Sequence, residues 1–399
     1  MNVWRRKGKS DMKISTILFT LSLISFPQLA NSHDLGGSLY NSQDLIINNI
    51  RVGQGDSTLI LGPIKEDGTR TTVLFDVGDI PDRDGGNILR TVLFKAGVKK
   101  IDHLIISHDD ADHIGGIAFG GVHGTSIMLG FNNVPGAIGD DDGDGVEDWI
   151  TGSPLFDPDP EELGQGDDLR IVNFIDYGEE IMRDDVQAIA KYNRFANAVG
   201  SRTTLNSQAD VDDFSIDLGG NAKMTLYAAN GYVKDRARRV ANVNTPNERS
   251  LSFLVSYGNF DYLISGDLIG RKSGRENAKV EKAVGEAIVN DGRTVEVLHV
   301  NHHGASNGSD PEFLDLIKPN IAIISAGNGN SHKHPTNKTL KHLTEAGIDR
   351  IIQTSWGTTE SKIPRDVRDH HAIWQQDVII RSDGENYWTE TSRRWKSSP

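Results

Sequence analysis

Two histidines and three aspartates fall within six residues, His108-Asp109-Asp110-Ala111-Asp112-His113, between an apolar run over 101–107 and the pair Gly115-Gly116. An apolar run of this kind reads as a buried strand, and the turn that follows curls its side chains around one point. Imidazole and carboxylate together suit a borderline divalent ion such as Zn²⁺ or Mn²⁺. A solvated polar loop needs neither histidine at both ends nor a glycine pair behind. The segment therefore constrains the chain to a fold that brings polar strand ends to a common edge.

The rest of the chemistry narrows around it. There is no cysteine among the 399 residues, so disulfides, thiolate nucleophiles and sulfur-ligated metals are excluded. Any transition-metal site must be built from the 13 histidines and the acidic residues. The 42 glycines imply many tight turns, which fits an α/β or β-rich fold better than a helical bundle.

Residues 1–32 read as a secretory signal peptide, with translation starting at Met1 or Met12. Lys13 is basic, residues 14–26 are apolar but too short to span a bilayer, and Ala30-Asn31-Ser32 offers a small-residue cleavage site. The expectation is a secreted or periplasmic protein with no stable membrane insertion after cleavage. Removal of five basic residues and one acidic one would take the formal charge from −14 to −18.

The mature chain reads first as β-β-β-α-β. Strands are expected over 45–50, 57–61, 71–75 and 101–107, with a helix over 87–96. The middle, about 121–244, reads as a less regular insertion with a helix near 179–198 and a strand over 223–228. Strands over 251–257 and 260–265 flank Gly258-Asn259, a hairpin signal. Helices over 276–290, 311–317 and 336–346 alternate with strands over 295–300 and 321–325. Strands over 378–381 and 387–391 close the chain as a hairpin.

Polar residues collect where these strands end. Gly266-Asp267 follows the strand over 260–265, and an aspartate there suits bridging two metals. Asn301-His302-His303-Gly304 follows another strand; one histidine is expected to bind metal and the other to donate a proton. Asp76, at the end of 71–75, is expected to hold a ligand histidine by a hydrogen bond. Asp112 is the candidate to bind metal while orienting or deprotonating the attacking water.

His108-x-Asp110-x-Asp112-His113 with Gly115-Gly116 resembles the metallo-β-lactamase superfamily motif, with Asp110 in place of the more usual second histidine. That replacement is typical of the hydrolase domain of ComEC-type DNA-uptake proteins. Val52-Gly53-Gln54-Gly55-Asp56-Ser57, Leu74-Phe75-Asp76-Val77-Gly78, the stretch 247–251, Ser265-Gly266-Asp267, His302-His303-Gly304-Ala305-Ser306 and His332-Lys333-His334-Pro335 match in the family's order over about 45–360. The resemblance implies a four-layer αββα sandwich over 45–399. It also implies metal ligation by His108, Asp110, Asp112, His113, Asp267, His303 and His334, with Asn247 nearby to meet substrate oxygen. The superfamily's further ligand histidine has no clear counterpart, since only His123 lies between His113 and Asp267. One or two ions, zinc or manganese, are the expected cofactors.

The implied activity is hydrolysis of a phosphodiester, and nucleic acid is a possible substrate. A small ester, lactone, lactam or phosphorylcholine-type substrate is the alternative, and a non-catalytic binding module a second one. Two basic clusters, Lys234, Arg236, Arg238, Arg239 and Arg271, Lys272, Arg275, would attract phosphate, against the acidic whole. A separate acidic run places Asp140, Asp142, Asp144, the Val146 carbonyl and Asp148 at calcium-loop spacing, with Gly145 at the sharp turn.

Overall fold

The computed structural model describes residues 43–79, 89, 92–93, 96–98, 100–118, 170–178, 192–193, 196, 201–270, 280–357 and 371–391. The strands are β1 (Leu45–Asn49), β2 (Thr58–Leu61), β3 (Thr72–Phe75), β4 (Lys100–Ile105), β5 (Arg170–Asp176), β6 (Ser201–Thr204), β7 (Ser215–Gly219), β8 (Ala222–Ala229), β9 (Tyr232–Val233), β10 (Ser252–Tyr257), β11 (Phe260–Ile264), β12 (Val297–His299), β13 (Ile321–Ile324), β14 (Arg350–Gln353), β15 (His371–Ile373), β16 (Val378–Ser382) and β17 (Tyr387–Thr391). The helices are α1 (Ala111–Ala118), α2 (Gln208–Asp213), α3 (Pro246–Arg249), α4 (Val280–Asn290), α5 (Pro311–Ile317) and α6 (Asn337–Glu345).

The strands form two mixed sheets. One runs β17-β16-β1-β2-β3-β4-β5-β6; the other runs β15-β14-β13-β12-β11-β10-β8-β7, with β9 beside β8. Each is antiparallel in one half and parallel in the other: β3 to β6 pair in parallel, as do β11 to β15.

The layering follows from side-chain alternation along strands buried on both faces. In the first sheet Leu45, Ile47, Ile60, Val73 and Phe75 point to a core shared with Phe253, Tyr262, Ile264 and Val297 of the second. The alternate residues Ile46, Leu59, Leu61 and Leu74 face the opposite way, against Ile114 of α1 and Leu89, Val92 and Leu93. On the far side of the second sheet, Leu263 and Leu298 pack against α4, α5 and α6. Helix, sheet, sheet and helix thus stack in four layers. Phe75 meets Phe253 edge-to-face across the middle at 6.3 Å, and Tyr262 donates to Asn49 Oδ1 at 2.6 Å. Each such buried side chain contributes about 1.5–3 kcal/mol of burial.

Parallel strands deliver their carboxyl ends to one edge. Asp76 follows β3, His108 follows β4, Asp267 follows β11, and His302 and His303 follow β12. The two sheets are tied there by the Leu251 amide donating to the Ser107 carbonyl at 2.9 Å, and within the second sheet the His302 amide donates to the Gly266 carbonyl at 3.1 Å. Gly266 has φ +52, and a Cβ there would lie 2.4 Å from Ser107 Oγ. Only glycine lets the sheets approach this closely at the site.

Two expectations are corrected. The turn expected after residues 101–107 becomes α1 from Ala111, because the amides of His113 and Ile114 both donate to the Asp110 carbonyl. The expected insertion over 121–244 does not stand apart from the sheets: β5 and β6 extend the first, and β7, β8 and β9 the second. The alternation that reveals a half-buried strand is weak there; β6 is Ser-Arg-Thr-Thr and largely exposed. β14 and β15 were also not foreseen. Residues 1–32, His123, the acidic run 140–148 and the basic cluster Arg271, Lys272, Arg275 lie outside the described residues. Among the described residues no helix is long and apolar enough to cross a membrane.

Candidate metal centre

The short helix α1 sets the first motif. His108 precedes it, fully buried at the end of β4, while Asp112 and His113 occupy its first turn. The positive end of the helix favours the Asp112 carboxylate there. His113 Nδ1 lies 2.7 Å from Asp76 Oδ2, and Asp76 also accepts from the Ser107 amide at 2.7 Å and hydroxyl at 2.6 Å. Ser107 Oγ in turn lies 3.0 Å from His108 Nδ1. Asp76 thus orients one imidazole directly and the other through a hydroxyl, as expected for a carboxylate behind metal ligands.

His302 and His303 both adopt left-handed backbone, with φ 54 and 52. Such conformations cost of order 1–3 kcal/mol each and persist where the surroundings enforce them. Here they turn two consecutive rings toward different oxygens of Asp267. His303 Nε2 lies 3.3 Å from Asp267 Oδ1 and 3.1 Å from Asp112 Oδ2. His113 Nε2 lies 3.1 Å from the same Asp267 Oδ1 and 3.3 Å from His303 Nε2. His302 Nε2 instead faces Asp267 Oδ2 at 3.5 Å, as does His108 Nε2 at 3.8 Å. Asp110 Oδ2 stands 3.6 Å from His108 Nε2, and Asn247 Nδ2 stands 3.4 Å from His302 Nε2.

Asp267 therefore has an imidazole pair at each oxygen. Asp112, His113 and His303 gather at Oδ1; His108, Asp110, His302 and Asn247 gather at Oδ2. His334 stands at the rim. Its ring centroid lies 5.4 Å from that of His302 and 6.2 Å from that of His303, among imidazoles rather than carboxylates.

The electrostatics favour cations. Burial alone would push the His113 and His303 imidazoles toward neutrality, but Asp267 and the carboxylates around it hold both pKa values well above the ordinary one. Burial would likewise raise Asp267, but His303, His113 and His302 hold it well below. Asp112 is held low by His303 and His113 against the same burial. Burial lowers His302 and, with His303 and His302 beside it, lowers His334 to about 4.

The donor set fits divalent ions. His108 Nε2 and Asp267 Oδ1 are buried and make no hydrogen bond. Two ring nitrogens face one another across 3.3 Å, a contact that a proton or a cation must occupy. Nitrogen and oxygen donors without sulfur suit zinc or manganese.

Two participants escaped the sequence reading. Asp56 is fully buried, and one of its ligand atoms lies within 4.8 Å of those of His113, Asp267 and His303. Gln54 Nε2 donates to Asp112 Oδ2 at 3.2 Å. Their only signal was the stretch Val52–Ser57, read as a turn near the site. In the basic cluster of residues 234–239, Arg239 binds Asn230 and Arg236 pairs with Glu286 at 3.2 Å.

No protein-family model matches the sequence. ComE operon protein 3 of Bacillus subtilis is 24% identical over 325 residues, covering 78% of this chain and 32% of that protein. Competence protein ComA of Neisseria gonorrhoeae is 30% identical over 108 residues, 27% of this chain and 14% of that one. The chain thus spans about a third of the first relative's length and less of the second. Among solved structures, a diphosphatase of the PhnP family has 12% identity and a TM-score of 0.33, covering 82% of this chain and 94% of its own. A metal-dependent hydrolase of the β-lactamase superfamily has 12% identity and a TM-score of 0.34, covering 83% and 96%. Two facing sheets between layers of helix give the chain an αββα sandwich with its motifs at a common edge, and its sequence is similar to ComE operon protein 3 and to competence protein ComA.

Proposed function

We propose that this chain is a metal-dependent hydrolase that cleaves phosphodiester bonds, nucleic acid among them, outside the cytoplasm. The observation that carries the reading is Asp267, buried between two groups of nitrogen and oxygen donors, one at each carboxylate oxygen. When bound, a pair of divalent ions supplies the charge that activates an attacking water and offsets negative charge on the group under attack. Asp112 touches His303 on its buried side and keeps 23% of its side chain exposed, which suits it to orient an attacking water. Asp110 and His302, 27% and 20% exposed, complete the open side, where a substrate would enter. Burial keeps the His302 ring neutral near pH 7, so it is better fitted to hold an ion or accept a proton than to donate one. Asn247 supplies an amide beside it for a substrate oxygen.

The choice of phosphodiester rests on the relatives, which are named for competence and recombination, processes that handle DNA. Export rests on the signal-like residues 1–32.

The test is metal content by elemental mass spectrometry, followed by assays with zinc or manganese on bis-p-nitrophenyl phosphate, plasmid DNA and a lactam. Wild type is compared with Asp112→Ala. Near two equivalents of metal with Asp112-dependent phosphodiester cleavage is the expected result. Turnover of a lactam or small ester alone would move the substrate class, and absence of both metal and turnover would leave a binding module.

A further inference from the structure

The turn between β1 and β2, residues 53–56, is wedged against the metal centre and has no role in the chemistry described above. Its backbone packs on the first turn of α1: the Asp56 amide donates to the Asp112 carbonyl at 3.2 Å. A Cβ on Gly55 would lie 2.1 Å from that carbonyl oxygen, so nothing larger than glycine fits. On one side Gln54 donates to Asp112 Oδ2 at 3.2 Å, while its own Oε1 accepts from the Gly327 amide at 3.3 Å. On the other side Asp56 Oδ1 lies 3.5 Å from His303 Nδ1 and 3.5 Å from His299 Nε2. Neither oxygen of Asp56 makes a hydrogen bond of full geometry, although the residue is buried.

The edge of the ring that Asp56 approaches decides its role. His303 turns Nε2 toward Asp112, Asp267 and His113, and Nδ1 toward Asp56 and the Ser325 carbonyl at 3.1 Å. The Ser325 carbonyl can only accept, so it keeps a proton on Nδ1; the Asp56 carboxylate beside it favours that N–H edge electrostatically, and Nε2 is left to meet an ion. Asp56 is thus placed behind the imidazole rather than beside the ion.

We propose that the 53–56 turn is a positioning device for the ion site at Asp267 Oδ1: Gln54 fixes the Asp112 carboxylate, and Asp56, beside the Nδ1 edge that Ser325 binds, holds the tilt of the His303 ring and strengthens Nε2 as a donor. Two ligands from distant parts of the chain are thereby held by two residues of one turn, Gln54 and Asp56, on either side of Gly55. The other group, His108, Asp110 and His302, shows no contact with the turn among the described residues. The inference rests on the reading that divalent ions bind at Asp267, and its consequence is asymmetric: damage to the turn weakens one site and spares the other.

The experiment uses the full mature chain, stripped with chelator and titrated calorimetrically with Mn²⁺ and with Zn²⁺. Wild type is compared with Asp56→Asn and Gln54→Leu. Thermal unfolding of the chelated proteins checks that each variant folds, and Gln54→Leu, at a partly exposed position, carries the test if Asp56→Asn does not. The expected result is two binding events in wild type. In each variant one should stay near the wild-type affinity and the other weaken 10–100-fold, the usual effect of losing a carboxylate or amide behind a ligand. Nitrogen-15 spectra of zinc-loaded, histidine-labelled protein should show His303 with its proton on Nδ1 in wild type and a displaced His303 Nδ1 resonance in Asp56→Asn. Two undiminished binding events in both variants, or an unmoved His303 Nδ1 resonance, would overturn the assignment. A wild type that takes up no ion would instead remove the reading on which it rests.

Discussion

Asp76 Oδ2 meets His113 Nδ1 at 2.7 Å, with both side chains fully buried. The same oxygen accepts from the Ser107 hydroxyl, which lies 3.0 Å from His108 Nδ1. One carboxylate at the end of β3 therefore sets the orientation of two candidate ligands from the next strand end. Replacement by asparagine keeps the shape but can put an N–H against Nδ1, forcing the wrong tautomer. Asp76→Asn should fold and lose about 10–100-fold in metal affinity, read by calorimetric titration of chelated protein.

Metal binding should release protons. His113 and His303 are held protonated above their ordinary range by Asp267 and neighbouring carboxylates, so an ion must displace those protons. Apparent affinity should therefore rise with pH through neutrality, by about a factor of ten per pH unit for each proton displaced. Titrations in buffers of different ionisation enthalpy give the proton count directly. Affinity independent of pH between 6 and 8 would contradict the protonated rings.

Glu281 on α4 anchors the loop that carries the two histidines. Its Oε1 accepts from Asn301 Nδ2 at 2.6 Å and the Ser309 amide at 2.6 Å, and its Oε2 from the Asp310 amide at 3.0 Å. Glu281→Ala strands three donors and should cost on the order of 3 kcal/mol of stability, measured by denaturant unfolding. Burial raises the Glu281 pKa from 4.5 to about 8, against the pull of these hydrogen bonds. A raised folded pKa means the protonated form is favoured on folding. That contribution is whole below pH 4.5 and fades as pH climbs to about 8. The stability difference between wild type and variant should shrink over that window.

Gly55 has φ +100 and no room for a Cβ beside the Asp112 carbonyl. Gly55→Ala should destabilise by about 2–4 kcal/mol through backbone strain and the forced shift of α1. Circular-dichroism melts of chelated protein report the loss. A melting temperature equal to wild type would mean the turn is not under this constraint.

The sequence by itself determined the local chemistry. His108, Asp110, Asp112 and His113 were legible because ligand-type residues crowd into one short stretch behind an apolar strand. Asp267 and the His302-His303 pair were legible because each follows a β-branched or aromatic run and precedes or follows glycine. The strands that alternate or run apolar, such as β1, β3, β10 and β11, were readable from period alone, whereas β6 was not, because an exposed strand carries no buried face to betray it.

Only the tertiary structure decided how these residues share the work. His302 and His303 are adjacent in the chain, and no spacing rule separates them; two successive left-handed residues send one ring to each oxygen of Asp267. Asp56 lies far along the chain from His303 and joins it only because β1 and β2 pack face to face with β11 and β12. Residue type and local order fix what a side chain can do. Which side chains meet is fixed by the packing of two sheets around a common core, and that depends on contacts a linear reading does not contain.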